Sequence, residues 1–432
     1  MALGGGSFIT QNKVLPGSYI NFISVSKASA SLSDRGIVAM PLELDWGIEN
    51  EVFEVSRSEF EKNSLKLLGY SYSSEKLRGL RDLFKNIDTL YVYRLTSGGA
   101  KASNTYATAK YSGVRGNSIK IIIQANVDVS SKFDVTTIID STILDKQTVS
   151  NAAELKDNDY VTFKSGATLT ATAATPLSGG TNGTVNGTSY QNALDKFESY
   201  SFNALGVVTT DDTIKELCIN YTKRLRDEVG QKFQVVVYKK PADYEGAINI
   251  KNKTVEEECG LVYWVTGIIA GCAINKSNLN KLYDGEYKIE ADYTQAELIE
   301  AIELGEFTMH KVGANYRVLS DINSLVTTSD NKGDIFKDNQ TIRVIDQIAN
   351  DIASIFNTKY LGIVPNDESG RISLWSDVVK HHESLQQIRA IENFSDEDVS
   401  IELGNTKKSI VINDSITVTN AMAQLYMTVV AE

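Results

Sequence analysis

Two short stretches, Ala-Leu-Gly-Val-Val-Thr at 204–209 and Phe-Gln-Val-Val-Val-Tyr at 233–238, are nearly continuous apolar runs rather than alternating ones. Strands of that kind need cover on both faces, which a parallel sheet between two layers of helix provides. The neighbouring sequence supplies the helices. Residues 190–200 and 213–229 are amphipathic, and 258–274 is apolar enough for a buried helix. Thr294-Gln295-Ala296-Glu297 is a capping box opening a helix that Gly305 ends. With strands at 308–312 and 316–319, residues 188–340 are expected to form a doubly wound α/β layer. Upstream, strands at 19–25, 36–40 and 90–95 alternate with helices at 59–68 and 74–86. The second helix places Leu77, Leu80, Phe84 and Ile87 on one face, so 18–96 reads as another α/β segment.

Between these segments the composition changes. Residues 97–187 are rich in Ser, Thr, Asn, Gly and Ala and lack a helical period. Strand candidates at 105–111, 118–125, 133–140, 147–149, 160–165 and 167–173 predict an inserted β-sandwich or small barrel. Beyond 340, a helix at 341–359 carries the apolar stripe Ile345, Ile348, Ile352, Ile355 and Phe356. A helix at 373–391 follows, then strands at 399–403, 409–412, 415–419 and 424–430. The expected fold class is multidomain α/β (α+β), in keeping with 432 residues, too many for one ordinary core.

Both ends read as extended. Residues 1–17 hold a glycine triplet, a short extended run containing Phe8, Thr10 and Val14, and a Pro16-Gly17 turn, the pattern of an arm. At the other end Leu425, Met427 and Val429 alternate with Tyr426, Thr428 and Val430. Such a strand pairs either with its own sheet or with another chain.

Chemistry is conspicuously starved. The three histidines, His310, His381 and His382, leave few catalytic or metal constellations open, and no HExxH, CxxC, GxSxG or phosphate-loop pattern occurs. His381 and His382 are adjacent and point about 100° apart on a helix, a poor chelate. The glycine-rich 178–187 stretch lacks the lysine of a phosphate loop and reads as a turn-rich linker. No catalytic residue, cofactor site or metal site is expected, and a hydrolase on the α/β layer is a remote alternative. A net charge of −12 without a basic run argues against direct nucleic-acid binding. Cys218, Cys259 and Cys272 are widely spaced in apolar surroundings and read as buried thiols. The longest apolar run, 260–274, is too short to span a bilayer, and no secretory signal is evident, so a soluble protein made inside the cell is expected.

Four stretches in order resemble the contractile tail sheath proteins of bacteriophages and phage-tail-like bacteriocins, in the form found in Gram-positive hosts. They are the opening GGGSFITQNKVLPGSYINF; Leu177-Ser178-Gly179-Gly180-Thr181-Asn182-Gly183; Trp264 to Ala273 with Asn275-Lys276-Ser277; and Arg343 to Asp346, Tyr360 to Val364 and the closing strands. The resemblance implies a 1–17 arm, an inner domain formed by 18–96 with 341–423, an outer sandwich at 97–187, a subtilisin-like layer at 188–340 without catalytic residues, and a 424–432 arm. It also implies a structural role: hexameric rings stacked helically into a sleeve around a tail tube, whose contraction drives the tube through the host envelope during genome ejection. The implied partners are other copies of the chain, the tube protein, and baseplate and tail terminator proteins, with no membrane; the expected location is the virion tail, assembled in the bacterial cytoplasm. A genome-free bacteriocin particle is the alternative in the same class, and an adhesin module an alternative in another. Phe8, Thr10, Val14, Leu425, Met427 and Val429 are then expected in strands shared between subunits. Lys380, His381, His382 and Arg389, basic groups on the 373–391 helix of an acidic protein, are expected to face the tube.

Overall fold

The computed structural model describes residues 32–431, which fall into two compact units. Of the described residues, the larger unit holds 34–350 with 388–392 and 418–431. Its first elements are β1 (Ile37–Leu42), β2 (Val52–Ser56), α1 (Arg57–Leu68), α2 (Arg78–Phe84) and β3 (Thr89–Arg94). The α1 helix starts where the sequence provides a complete capping box, Ser56 with Glu59, and stops at Gly69 in the left-handed region. An insertion follows, with β4 (Ala107–Ala109), β5 (Ile119–Ala125), β6 (Phe133–Ile139), β7 (Thr142–Val149), β8 (Val161–Phe163) and β9 (Thr172–Pro176). It forms a four-stranded sheet in the order β7-β6-β5-β9 and a β4-β8 pair, closed over Ile119, Ile121, Ile123, Val135 and Trp46.

The chain then continues through α3 (Gly187–Phe197), β10 (Ala204–Gly206), α4 (Asp212–Arg224), β11 (Gln234–Tyr238), β12 (Ala247–Ile250), α5 (Leu261–Gly271), α6 (Gln295–Glu303), β13 (Glu306–Phe307), β14 (Met309–Val312), β15 (Asn315–Val318) and α7 (Asn339–Ile355). One seven-stranded sheet organises the unit, in the order β13-β12-β11-β10-β1-β3-β2. Every neighbouring pair in it is parallel except β2–β3. The apolar run at 233–238 lies in its middle, with Val235, Val236 and Val237 fully buried. Side chains alternate between two cores, as a period of two requires. Val236 joins α2 and α5 on one face, while Val235 and Val237 join α3 and α4 on the other. The doubly wound layer is therefore present, but it does not stop at residue 188. Strand β1 hydrogen-bonds β3 on one side and β10 on the other, so the 37–94 segment belongs to this sheet rather than to the C-terminal section.

The stretch 177–183 closes the two ends of the insertion on each other. Ser103 and Ser178 exchange backbone hydrogen bonds, Thr181 N–H donates to the Ala100 carbonyl, and Gly183 N–H donates to Thr96. A Cβ on Gly183 would stand 1.9 Å from the Ser97 carbonyl oxygen, which explains the glycine there. The three cysteines are buried and unpaired by disulfides, and no described helix is long and apolar enough to cross a membrane.

Helix α7 departs from the expected stripe in its first half, while Ile352, Ile355 and Phe356 at its end pack with Leu374 and Val378 as expected. Thr341, Arg343, Asp346 and Gln347 are buried, whereas Ile345 and Ile348 are only half-buried. The polar side is inside because its groups are paired. Arg226 makes a two-pronged bond to Asp346 at 2.6 and 2.8 Å. Arg343 donates to the Lys276 carbonyl at 2.7 Å, and Asn350 both accepts from and donates to the Lys232 backbone.

The smaller unit contains 351–387 and 393–417. Downstream of α7 the chain forms α8 (Glu368–Gln387), β16 (Ile391–Glu392), β17 (Val399–Leu403), β18 (Ile410–Asp414) and β19 (Thr417–Val418). The β17–β18 hairpin packs Val399, Ile401, Ile410 and Ile412 against Leu374 and Val378 of α8.

Candidate assembly surface

The root of the C-terminal segment is held by the first turn of α7. That turn is capped by Asp338, whose carboxylate accepts the Thr341 N–H at 3.0 Å. Burial holds the Asp338 carboxyl above the usual carboxylate range. The next residue but one, Gln340, is 2% exposed. Its amide nitrogen donates to the Thr419 carbonyl at 2.9 Å and its amide oxygen accepts the Ala421 N–H at 3.0 Å. One side chain thus presents a donor and an acceptor to alternate backbone groups, as a neighbouring strand would. Thr341 and Asn420 side chains lie 3.3 Å apart, and Thr419 N–H donates to the Ala390 carbonyl at 3.0 Å.

Beyond Ala421 the anchoring ends. Residues 420–431 have no strand or helix, and from Met422 on the one hydrogen bond among the described residues is local, Tyr426 to Gln424. Met422 is 99% exposed, and Leu425, Met427 and Val429 are 85%, 74% and 76% exposed. The expected 424–430 strand is therefore not formed among the described residues, where no other segment pairs with it. The alternation remains in the sequence without a partner. The companion residues Phe8, Thr10 and Val14 lie outside the described residues.

The basic helix is corrected in part. Helix α8 ends at Gln387, so Arg389 lies past it, exposed and with φ of 61°. Lys380 is exposed on α8, but His381 and His382 are fully buried. His381 Nε2 donates to Asp351 and His382 Nε2 to Asp414, each at 2.9 Å, while His382 Nδ1 faces the Val378 carbonyl. Their polar atoms face inward, which removes them from any contact with a partner's surface. The sequence places these basic residues on one helix; the helical period turns Lys380 away from the pair that follows it. It also missed Gln340, for which the one available signal was an Asp-x-x-Thr helix start.

No group of three or more His, Cys, Asp or Glu side chains among the described residues is arranged to hold a metal. Cys218 illustrates the interior: burial pushes its thiol up to about 12, far from a reactive thiolate.

Known proteins resemble this chain along its whole length. Four domain families match in order: the Gp18 tail sheath domain III N-terminal region at 35–95, the phage tail sheath β-sandwich domain at 97–182, the central domain at 183–324 and the C-terminal domain at 331–432. The phage-like element PBSX protein XkdK of Bacillus subtilis is 34% identical over 99% of both chains. The crystal structure of a sheath tail protein from Desulfitobacterium hafniense is similar with a TM-score of 0.80 and 37% identity, covering 89% of this chain and 93% of that one. The contracted helical sheath of the anti-feeding prophage shares the fold, with a TM-score of 0.59 at 10% identity, covering 97% of this chain and all of that one, 100%.

Proposed function

That this chain belongs to the phage tail sheath family, structural proteins and not enzymes, is the premise from which we propose a specific working cycle. Copies of the chain stack as hexameric rings into a helical sleeve around a tail tube, on a baseplate and under a terminator protein. Contraction of the sleeve drives the tube through the host envelope during genome ejection. The observation that carries this reading is the C-terminal segment, which leaves Met422, Leu425, Tyr426, Met427, Val429 and Val430 at least 74% exposed. Burying side chains of this size contributes roughly 1.5–3 kcal/mol each, so a partner that covers the segment gains several such increments. Strand alternation in the segment suits pairing into a neighbour's sheet, where backbone bonds persist while subunits rotate. A head-to-tail contact that does not close generates a filament.

In this reading Phe8, Thr10 and Val14 of the N-terminal arm join the same shared sheets. Deleting residues 1–16 is expected to leave a folded monomer that forms no tubes in electron micrographs; tubes of normal length would refute the arm's role. Lys380 and Arg389 are the exposed cations that we assign to the tube side. The double variant Lys380→Glu/Arg389→Glu should keep its melting curve and lose tube protein on co-sedimentation. Undiminished co-sedimentation would remove them from the tube contact. A genome-free particle would use the same subunit, and capsid and packaging genes beside this one would separate the two.

A further inference from the structure

The carboxamide of Asn86 stands in an arrangement that neither the fold nor assembly explains. Asn86 follows the last turn of α2, and its backbone lies so near α5 that a Cβ on Gly271 would stand 1.7 Å from the Asn86 carbonyl oxygen. The Asn86 side-chain oxygen accepts a bond of 3.0 Å from the Lys281 amine, 195 residues further along the chain. The side-chain nitrogen of Asn86 is buried and has no hydrogen-bond partner among the described residues. A buried donor left in that state is costly and rare. Asp82 is tied to both segments. It lies one turn before Asn86 on α2, and Tyr283, two residues past Lys281, donates to its carboxylate at 3.1 Å. Asp82 is fully buried, and that burial holds its carboxyl above the usual range despite the bonds from the Glu286 N–H and the charge of Lys85.

We propose that Lys281 and Asn86 become joined by an amide bond that the folded chain forms on itself, with Asp82 carrying the proton. The Lys281 nitrogen attacks as the free amine, and its electron pair makes the new Nζ–Cγ bond. The Cγ–Nδ2 bond breaks in the same exchange. Nδ2 leaves as ammonia with one proton from the attacking nitrogen, passed through the Asp82 carboxyl. No oxidant, reductant or further reactant enters. The geometry is close to what the step needs. With Nζ at 3.0 Å from the amide oxygen, Cγ is no more than about 4.2 Å away, since the C=O bond is about 1.23 Å. A change of side-chain torsion brings the atoms to the separation of about 3–3.5 Å at which reaction starts, and holding them together replaces a very high concentration of amine. The unpaired Nδ2 is then the leaving group, which nothing in the protein retains. The bond ties the end of α2 to the segment after α5, on one face of the seven-stranded sheet. A tie closing so long a loop restricts the unfolded chain strongly. That suits a subunit under load in the sleeve proposed above, although the bond forms whether or not that reading holds.

Mass spectrometry of the denatured full chain tests the bond. The protein is expected to be lighter than its sequence by one ammonia. Trypsin is expected to release a branched peptide joining residues 86–94 to residues 277–288, with Lys281 uncut. Ring closure at Asn182-Gly183 or Asn186-Gly187 loses the same ammonia, so the branched peptide decides. Lys281→Arg keeps the charge and a donor but not the nucleophile, and should show the full mass and a lower melting temperature. Asp82→Asn should fold and retain its ammonia. Where it does not fold, Asp82→Glu serves: the branched peptide should accumulate more slowly after refolding, and an unchanged rate overturns Asp82 as the proton carrier. Full sequence mass in the natural chain, or an ammonia deficit without the branched peptide, overturns the bond and leaves the sleeve reading untouched.

Discussion

Gln340 accepts the Ala421 amide at 3.0 Å, and Ala421 is the last residue before the chain loses every non-local hydrogen bond among the described residues. Because the same side chain also donates to Thr419, it separates a stretch that stays with its own subunit from one free to leave. Replacing it with Gln340→Leu keeps bulk and removes both bonds. The monomer should stay folded, losing about 2 kcal/mol, about 1 kcal/mol for each of the two bonds. Hydrogen exchange should show the Ala421 amide becoming unprotected while amides of β11 are unchanged.

The two-pronged contact between Arg226 and Asp346 joins the end of the α4 region to α7, with side chains 4% and 9% exposed. Removing one charge strands the other in the interior. Arg226→Met should therefore cost about 3–5 kcal/mol in urea unfolding, and Arg226→Met/Asp346→Leu should recover much of the loss. Equal losses in the two would show that packing and not charge carries the contact.

Close approach of α2 and α5 depends on Gly79, where an added Cβ would lie 2.3 Å from the Tyr263 ring. Gly79→Ala favours the helix intrinsically by up to about 1 kcal/mol. Overpacking costs about 1–3 kcal/mol and outweighs it. A lowered melting temperature is expected, and Gly79→Ala/Tyr263→Leu should restore part of it.

Arg115 reaches Asp140 with both terminal nitrogens, at 3.2 and 2.6 Å, and its bond holds the Asp140 carboxyl below the usual carboxylate range. A lowered folded-state value means the stabilisation is fully present above the ordinary value of 3.8 and is lost as pH falls through the lowered one. Asp140 is 62% exposed in its side chain, so water screens the pair. Asp140→Asn should cost no more than about 1 kcal/mol at neutral pH. Its melting temperature should then fall less steeply than that of the natural chain as pH drops below the ordinary carboxylate value of 3.8.

Much of the fold is legible in the residues, and the failures have physical causes. Val235, Val236 and Val237 announce a strand buried on both faces, and Thr294 and Gly305 mark the ends of one helix, whereas the caps of α1 at Ser56 and Gly69 went unread. Strand β2 escaped because Glu54 faces solvent on its edge and dilutes the apolar pattern, and the four residues of β12 are too short to show a period. The burial of polar side chains in the first half of α7 depends on Arg226, Lys276 and Lys232, which are distant in sequence, so hydrophobicity alone misplaces Ile345 and Ile348. His381 and His382 look like surface cations until Asp351 and Asp414 arrive beside them. For the assembly surface, alternation in 425–430 was readable, whereas the boundary at Ala421 needed Gln340 in three dimensions.

Assembly depends on the segment beyond that boundary. A chain ending at Ala421 should fold and melt like the full-length protein, since Met422 onward contributes no described contact outside the segment. Negative-stain electron microscopy of the two proteins side by side is the direct measurement. Sleeves from the full chain and none from the truncated one are predicted; sleeves of equal length from both would contradict the account.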